Sequence, residues 1–232
     1  MSISPLVKLR RFTMSDKIFQ LRALTFIDSL QPQLAQLIAK TDEYIVCKPK
    51  EYDAALLIEI APAMDIHSMI NIALKRTAVH LGAVVTERRF GMMFLQHADQ
   101  GEIKEAGRAV LAATGLTEND REGITILSNK TIRGIENDHA DFFNLTAKSN
   151  KVVAGESVLI METTPAAYLM IACNEALKAA NVKLINIEPI GASGRLVMSG
   201  PESEIDSAAD AALRIIEQLN TSLANKSGTQ IG

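Results

Sequence analysis

The sequence predicts an α/β protein (α+β, ferredoxin-like) in which the same domain occurs twice. Three observations carry this prediction. Short β-branched or aliphatic runs alternate with segments of helical periodicity. The same elements, with several identical residues, recur after about 100 residues. The chain has 232 residues, of which 47% are hydrophobic and 22% charged, so it is long and apolar enough for two folded domains.

In the first copy, periodicity predicts a strand at 19–27, a short helix around 34–38, a strand at 54–60, a helix from about 66 to 78, strands at 81–86 and 92–96, and a helix at 100–113. Pro62 ends the second strand, and Asp65 is the expected N-cap of the helix behind it. Leu74 is expected on the inward face of that helix. Two apolar helices of this kind cover one face of a sheet well and leave the other face to a different partner.

Residues 158–183 repeat residues 55–80 at a constant offset. The identical pairs, which extend beyond these ranges, are Leu56 and Leu159, Glu59 and Glu162, Pro62 and Pro165, Ala63 and Ala166, Asn71 and Asn174, Lys75 and Lys178, Val79 and Val182, and Gly91 and Gly194. A period this long indicates two copies of a domain and not a solenoid. The segment 126–148 then provides the strand and short helix that precede the first common strand of the second copy.

The repeat divides the chain into four predicted regions. They are an N-terminal extension at 1–17, a first domain at 18–120, a second domain at 121–222 and a C-terminal tail at 223–232. The boundary between the domains falls near 117–125, which is polar and contains Gly123. The extension lacks the apolar core of a secretory signal, and Met14 is an alternative start.

Composition argues against several classes of function. The formal net charge is -3, without the basic stripe of a nucleic-acid-binding domain. No window holds the roughly 18 uninterrupted apolar residues of a membrane span. Cys47 and Cys173 stand in unrelated contexts, which argues against zinc and redox chemistry and favours a reducing compartment. We expect no cofactor, no metal, no nucleic acid and no membrane partner.

The most unusual feature is a charged turn, 86–91, between two apolar strands. It carries Glu87, Arg88 and Arg89, whereas the second copy has small residues in its place, namely Gly191, Ala192, Ser193 and Gly194. A Glu–Arg pair at a turn is usually a surface ion pair that contributes little to stability. The contrast between the copies favours another interpretation, in which charged turns alternate with small, tight ones around an axis shared by several chains.

The small turn of the second copy does not fit two familiar catalytic or binding loops. Arg195 stands where a nucleophile elbow has its second glycine, and the Lys-Ser/Thr ending of a phosphate-binding loop is missing. Glu59 and Glu162 interrupt buried strands at equivalent positions, and a structural hydrogen bond to neighbouring backbone is favoured there over catalysis. Cys173 has no His in register and is expected to be buried as a small apolar residue.

One histidine has several acidic neighbours. His139 lies among three carboxylates that could form a metal cluster with it, namely Glu136, Asp138 and Asp141. A single His in a polar stretch is more often part of a solvated loop or a helix cap than a metal ligand. A structural interpretation of this stretch is therefore favoured.

Independent motifs occur in the same order in both copies. They include Glu162-Thr163-Thr164-Pro165-Ala166-Ala167, the helix end at 174–182, and Ile190-Gly191-Ala192-Ser193-Gly194. These residues resemble bacterial microcompartment (BMC) shell domains, duplicated and circularly permuted as in the tandem-domain shell proteins. The stretches 58–62, 87–91, 101–111 and 115–121 are similar to the carboxysome tandem-domain shell proteins of cyanobacteria. The resemblance covers about 19–220, nearly the whole chain.

The resemblance implies a non-enzymatic protein of the carboxysome, a bacterial microcompartment in the cytoplasm. It implies a homotrimer shaped as a pseudohexameric tile, laid beside hexameric carboxysome shell proteins and stacked face to face as a dimer of trimers. Glu87 and Arg88 would gate a central pore lined by Arg89 and by 191–194. An Arg-bearing rim suits sugar phosphates such as ribulose bisphosphate and 3-phosphoglycerate.

Two alternatives stay open at this point. One is a regulatory trimer of ferredoxin-like domains that binds a small molecule in a cleft between domains. The other is a metal-dependent enzyme centred on His139.

Overall fold

A computed structural model describes residues 19–40 and 44–227 of the chain. The predicted N-terminal extension at 1–17, with Met14, lies outside the described residues, as do residues 228–232. No helix within the described ranges is both long enough and apolar enough to cross a membrane.

The elements of the first half are β1 (Gln20–Ile27), α1 (Pro32–Lys40), β2 (Ala54–Ala61), α2 (Ile66–Arg76), β3 (His80–Glu87), β4 (Phe90–His97) and α3 (Gln100–Thr114). Those of the second half are β5 (Thr125–Ile132), α4 (Asn137–Thr146), β6 (Ser157–Thr164), α5 (Tyr168–Ala179), β7 (Lys183–Glu188), β8 (Gly194–Gly200) and α6 (Glu202–Ser227). Each element of one half has a counterpart at the same place in the other half, so the predicted duplication is confirmed. Helix α6 continues to Ser227, into the stretch predicted as a C-terminal tail.

Each half contains a four-stranded antiparallel sheet with the same strand order, β1-β2-β4-β3 in the first and β5-β6-β8-β7 in the second. The first strand of each sheet carries a bulge at the same place. In β1 the bulged residue is Arg22, between Leu21 and Ala23. In β5 it is Leu127, between Ile126 and Ser128. Arg22 and Leu127 are therefore counterparts, a correspondence that the sequence repeat alone does not show.

The two faces of the first sheet have different neighbours. Leu56, Ile58 and Ile60 of β2 point into a cluster with α2 and α3. Ala55 and Leu57 point the other way, into a cluster that includes residues of α5 and α6 of the second half. All eight residues of β2 are buried in consequence. The second domain thus supplies the cover for the sheet face that α2 and α3 leave open.

Two details of α2 differ from the sequence-based expectation. Asp65 has helical backbone angles and no capping hydrogen bond from its side chain, because a short 3-10 turn, Ala63–Asp65, already precedes α2. Leu74 was expected to face inward, but 42% of it is exposed. The face of α2 that carries Leu74 has no partner within the described chain.

Candidate functional site

The charged turn is the tip of the β3–β4 hairpin. Glu87 pairs with Phe90 across the hairpin, which leaves Arg88 and Arg89 as a two-residue connection. Arg88 has a φ of 50°, in the left-handed region that a residue other than glycine enters only at some cost in energy. Glu87, Arg88 and Arg89 are all exposed. Among the described residues, neither Glu87 nor Arg88 has an ion-pair partner, so both charges are available to groups outside this chain.

Gly91, directly after the turn, is held against the start of α2. A Cβ at this position would lie 2.3 Å from the carbonyl oxygen of Ala63, which is not a permitted contact. Gly194 has the same relation to the second copy, where a Cβ would lie 2.6 Å from the carbonyl oxygen of Ala166. The identity of this glycine in both copies therefore has a steric cause, namely the close approach of the hairpin to the start of the helix that precedes it in the chain.

The corresponding loop of the second copy is wider than the tight turn expected from its small residues. Pairing between β7 and β8 ends at Glu188 and Arg195. The next residue of β7 would be Pro189, which has no N–H to continue the ladder. Residues 189–193 therefore form an open loop, in which Gly191 takes a φ of 103°.

The structure brings part of the predicted site together. A Cβ at Gly191 would lie 3.2 Å from Oε2 of Glu87, so the charged turn and the small loop of one chain are neighbours. Both border a cavity of about 420 Å³ between the domains, whose lining residues include Glu87, Lys148, Glu188, Gly191, Ala192, Ser193 and Arg195 together with apolar residues of both domains. Arg88, Arg89 and Gly194 do not line this cavity.

Glu162 supports the small loop. Its carboxylate accepts a hydrogen bond from the hydroxyl of Ser193. The same carboxylate lies 3.7 Å from Nε of Arg195. Arg195 pairs with Glu188 in the first residue pair next to the loop. The hydrogen bond to backbone that was expected for Glu162 is replaced by contacts with two side chains. These contacts tie the small loop to strand β6.

Glu59, the counterpart of Glu162, is in a different environment. It is fully buried, and its Oε2 accepts a 2.8 Å hydrogen bond from the backbone N–H of Ala167 in the second domain. The expected hydrogen bond to backbone is therefore confirmed, and it joins the two domains. Nε of Arg22 lies 2.9 Å from Oε1 of Glu59, yet neither atom has a hydrogen-bond partner of good geometry. The two charges attract each other without a well-formed hydrogen bond.

The pKa of Glu59 is raised to about 7, mainly because burial removes water from the carboxylate. The hydrogen bond from Ala167 and the positive charge of Arg22 oppose this rise, and the negative charge of Glu122 adds to it. Cys173 is fully buried in the core, as expected, and burial raises the pKa of its thiol.

Sequence reasoning missed the contact between Arg22 and the charged turn. The guanidinium carbon of Arg22 lies 3.8 Å from the centroid of the Phe90 ring, at the distance of a cation–π contact. Arg22 also donates a 3.1 Å hydrogen bond to Oγ1 of Thr164 in the second domain. The signal in the sequence is an Arg within the mainly apolar strand β1, which indicates a buried charge but not its partners.

The proposed metal centre finds no support in the geometry. His139 stacks on Phe143, with ring centroids 5.1 Å apart, on an exposed part of α4. Within the described ranges, no group of three or more His, Cys, Asp or Glu side chains is arranged to hold a metal ion.

Comparison with known families finds a match for each half. Residues 21–120 match the CsoS1D N-terminal domain. Residues 157–227 match the BMC domain. The chain is 41% identical over 203 residues to the carboxysome shell protein CsoS1D of Hydrogenovibrio crunogenus, covering 87% of this chain and 98% of that protein. It is 39% identical over 201 residues to the carboxysome shell protein CcmP of Synechococcus elongatus, covering 87% of this chain and 93% of that protein.

Two solved structures have the same fold over most of the chain. The fused permuted hexameric shell protein MSM0275 from the RMM microcompartment superimposes with a TM-score of 0.83 at 36% identity, covering 87% of this chain and 98% of that one. The double ringed trimeric shell protein MSM0271 from the same microcompartment gives a TM-score of 0.82 at 31% identity, covering 86% and 97%.

Proposed function

Because the chain belongs to the carboxysome shell protein family of CsoS1D and CcmP, we propose that it is a non-enzymatic tile of the carboxysome shell, a homotrimer with a gated central pore. The observation that carries the proposal is the unequal burial of equivalent elements in the two domains. Two neighbouring structures, described as a fused permuted hexameric and a double ringed trimeric shell protein, are consistent with it.

The strands β1 and β5 illustrate this inequality. In β1, six of eight residues are buried, because α5 of the second domain packs against this strand. In β5, the counterpart of β1, no residue is buried. Its bulged residue Leu127 is 53% exposed, whereas the bulged residue Arg22 of β1 is 6% exposed. Strand β5 therefore has the same bulge as β1, but no other domain of the described chain packs against it as α5 packs against β1.

The helices α2 and α5 show the complementary inequality. Residues Tyr168–Asn174 of α5 are all buried between α6 and the first domain. In α2, only one face is buried, and Leu74 remains 42% exposed. Met64, just before α2, is 66% exposed, whereas its counterpart Ala167 is fully buried. The face of α2 is therefore the missing partner of β5.

If β5 of one chain packs on α2 of the next, the contact between the two domains of one chain is repeated between chains. Such a head-to-tail contact closes into a ring when its rotation permits. Three chains place six similar domains around the axis, which is the arrangement of a pseudohexameric tile. Each chain then has one internal and one external contact of the same kind.

The charged turn has the properties expected of a gate. It is short, it is exposed, and it holds Arg88 in a strained backbone conformation beside an unpaired Glu87. Copies of the turn around a threefold axis would let each Glu87 pair with the Arg88 of a neighbour and so close the opening. A second position of the turn would break these pairs and leave a pore bordered by Arg89 and 191–194. Two positions with different contacts are the requirement for a switch.

The charges around such a pore favour anionic solutes. Arg88 and Arg89 of three chains would surround the axis, and rings of Arg or Lys select anions in channels. Sugar phosphates such as ribulose bisphosphate and 3-phosphoglycerate are therefore the metabolites proposed to pass through the pore. We also propose that trimers stack face to face around a chamber and lie beside hexameric shell proteins in the same layer, as the description of one neighbour as a double ringed trimeric shell protein suggests.

The mass of the purified protein in native mass spectrometry tests the assembly. We expect three chains, or six if two trimers stack, and the formation of sheets with a hexameric carboxysome shell protein in electron micrographs. A stable monomer at micromolar concentration would contradict the proposal.

The gate is tested by the double substitution Glu87→Ala with Arg88→Ala. We expect trimers that stay intact and, in electron cryomicroscopy, a larger share of open pores, since the pairs that close the opening are gone. The matched control is Glu105→Ala with Arg108→Ala, which removes an exposed Glu–Arg pair on α3 whose atoms lie 2.8 Å apart. If the pores of the Glu87 and Arg88 variant remain closed, the proposed gate is contradicted, whereas the proposed trimer is not.

The inter-domain cavity favours the alternative of a small-molecule-binding regulatory trimer. Its volume of about 420 Å³ and its largely apolar lining are those of an ordinary ligand site. A regulator should bind one effector tightly there and should not form sheets. Titration calorimetry with candidate sugar phosphates, combined with the sheet assay, separates the two functions.

A further inference from the structure

We propose that Arg22 and Phe90 form a latch that couples the position of the charged turn to the ionisation of the buried Glu59. The turn then shifts when Glu59 gains a proton, which makes the gate sensitive to pH. This inference rests on the proposed gate, whose regulation it specifies. None of the three residues lies at the tip of the turn or lines the cavity.

The latch begins at the base of the turn. Phe90 is paired with Glu87 and directly follows Arg89, so a displacement of the turn displaces its ring. The guanidinium of Arg22 lies under that ring at 3.8 Å, while the guanidinium of Arg89 lies at 5.8 Å from the same centroid. Arg22 is only 6% exposed, so the turn is part of what separates this charge from water.

The other end of the latch is Glu59. Its Oε2 is occupied by the N–H of Ala167, so Oε1, which lies 2.9 Å from Arg22, is the oxygen that is free to take a proton. Protonation of Oε1 replaces an acceptor by a donor and removes the negative charge that holds Arg22. A buried guanidinium without a counter-ion is costly and moves towards solvent. Because the guanidinium of Arg22 lies against the ring of Phe90, a movement of Arg22 towards solvent displaces that ring.

Few other charges face Glu59. Strand β4 places the uncharged Met92 opposite it. The second domain contributes the carboxylate of Glu122, which raises the pKa of Glu59. It also contributes the hydroxyl of Tyr168, whose own pKa is raised mainly by burial and to a smaller extent by the charge of Glu59. Arg121 acts on Tyr168 and is held by backbone and hydroxyl oxygens near the end of α6. Arg22 is therefore the one cation among the described residues that is in contact with Glu59.

Burial raises the pKa of Glu59 to about 7, so its protonation changes between mildly acidic and mildly basic conditions. Above this pH, Glu59 is charged, Arg22 stays beneath Phe90 and the turn is held. Below it, the attraction is lost and the turn is released. The geometry supplies the mechanical link, and the buried position of the carboxylate sets the pH range.

The chain contains no Trp, which permits a direct experiment. Phe90→Trp introduces a single indole that keeps the cation–π contact, because Trp is the strongest aromatic partner of a guanidinium. We expect its fluorescence to change with pH in one transition whose midpoint lies near the pKa of Glu59. The transition should be lost when Glu59→Gln is added, because the amide does not ionise.

Two controls keep the result specific. Glu162→Gln in the Phe90→Trp background changes the equivalent residue of the second domain and should leave the transition in place. A transition that persists with Glu59→Gln, or the absence of any transition between about pH 6 and pH 8, would overturn the latch. Neither result depends on whether the pore opens, so a failure of the gate is recognised separately by the Glu87 and Arg88 variant.

Amide hydrogen exchange provides a second measurement without Trp. The ratio of exchange rates in Glu59→Gln and in the unsubstituted protein is compared at each pH for the peptide around 84–92, so that the intrinsic pH dependence of exchange cancels. We expect the Glu59→Gln protein to exchange several-fold faster at about pH 8, and the two rates to converge at about pH 6. A ratio that does not change with pH would overturn the proposal as well.

Discussion

Arg88 has a φ of 50°, a conformation that favours glycine, although it is the residue on which the proposed gate depends. Residues other than glycine in the left-handed region are destabilised by about 1 kcal/mol, and such strain persists where the surrounding structure enforces it. The hairpin enforces it here, since Glu87 and Phe90 are paired and leave only two residues for the connection. In the proposed gate, this strain would bring the two positions of the turn closer in energy.

This strain is measurable by comparing Arg88→Gly with Arg88→Ala. Both variants lose the guanidinium, so the difference between them reports the backbone alone. We expect Arg88→Gly to be more stable by about 1 kcal/mol in denaturant unfolding at equal protein concentration, because glycine adopts a positive φ without a steric penalty. Equal stabilities would mean that Arg88 is not strained in solution.

Glu59 gives the free energy of unfolding a predictable dependence on pH. Its pKa is about 7 in the folded chain, against an ordinary 4.5. Between these two pH values the folded chain holds a proton that the unfolded chain has lost, so stability from this group falls as pH rises and is constant above about 7. The maximum effect is roughly 3 kcal/mol, at about 1.4 kcal/mol for each pH unit.

The difference in unfolding free energy between Glu59→Gln and the unsubstituted protein isolates this contribution. We expect Glu59→Gln to gain relative stability from about pH 5 to pH 7 and no more beyond it. Glu162→Gln is the control, because Glu162 is in contact with solvent and its partners lie in the loop. A relative stability that declines over the same range would contradict the raised pKa.

At the level of elements, the two hairpins differ although they descend from one pattern. The first closes in two residues, and the second stays open because Pro189 cannot donate the next ladder hydrogen bond. Both are nevertheless anchored at one glycine, where the strand after the turn passes close to the start of the helix that precedes the hairpin. The close contact at the glycine is therefore common to the two copies, whereas the length and shape of the turn differ between them.

Gly91→Ala tests this anchor. Its Cβ would lie 2.3 Å from the carbonyl oxygen of Ala63, so the hairpin or α2 has to shift. We expect a loss of about 2 to 3 kcal/mol of stability, in the range of overpacked sites, measured by thermal unfolding. Gly123→Ala is the matched control, since its Cβ would meet nothing closer than 3.6 Å. Equal effects of the two substitutions would remove the steric explanation.

The elements themselves were largely predictable from the sequence, whereas the contacts between them were not. Apolar periodicity gave the strand at 54–60 and the helix at 100–113, because burial on one side leaves its pattern in the residues. The contact of Arg22 with Phe90 could not be inferred, since it depends on the order of strands in the sheet and on a bulge. The inward position predicted for Leu74 was wrong for a related reason. Periodicity shows that a helix has an apolar face, but it does not show whether that face packs within the same chain.

For the whole molecule, the question is what covers β5 and the face of α2. Within one chain, the bulge of β1 and helix α1 lie against the second domain, and their residues Arg22 and Leu37 are buried. The counterparts Leu127 and Phe142, on β5 and α4, are 53% and 63% exposed. In the proposed trimer, a second copy of the chain would offer Met64 and Leu74 and complete this contact with the same geometry that the chain already uses internally.

Leu127→Glu therefore tests the trimer itself. Burial of a Leu contributes about 1.5 to 3 kcal/mol, and a carboxylate placed beside Glu162 in a dry contact adds a desolvation cost. We expect the native mass to fall from three or six chains to one, with the circular dichroism spectrum unchanged. Leu145→Glu is the control, because Leu145 is 81% exposed and its counterpart Lys40 is also exposed in the internal contact. If Leu127→Glu stays trimeric, or if both variants dissociate alike, the chains do not repeat the contact that joins their own domains.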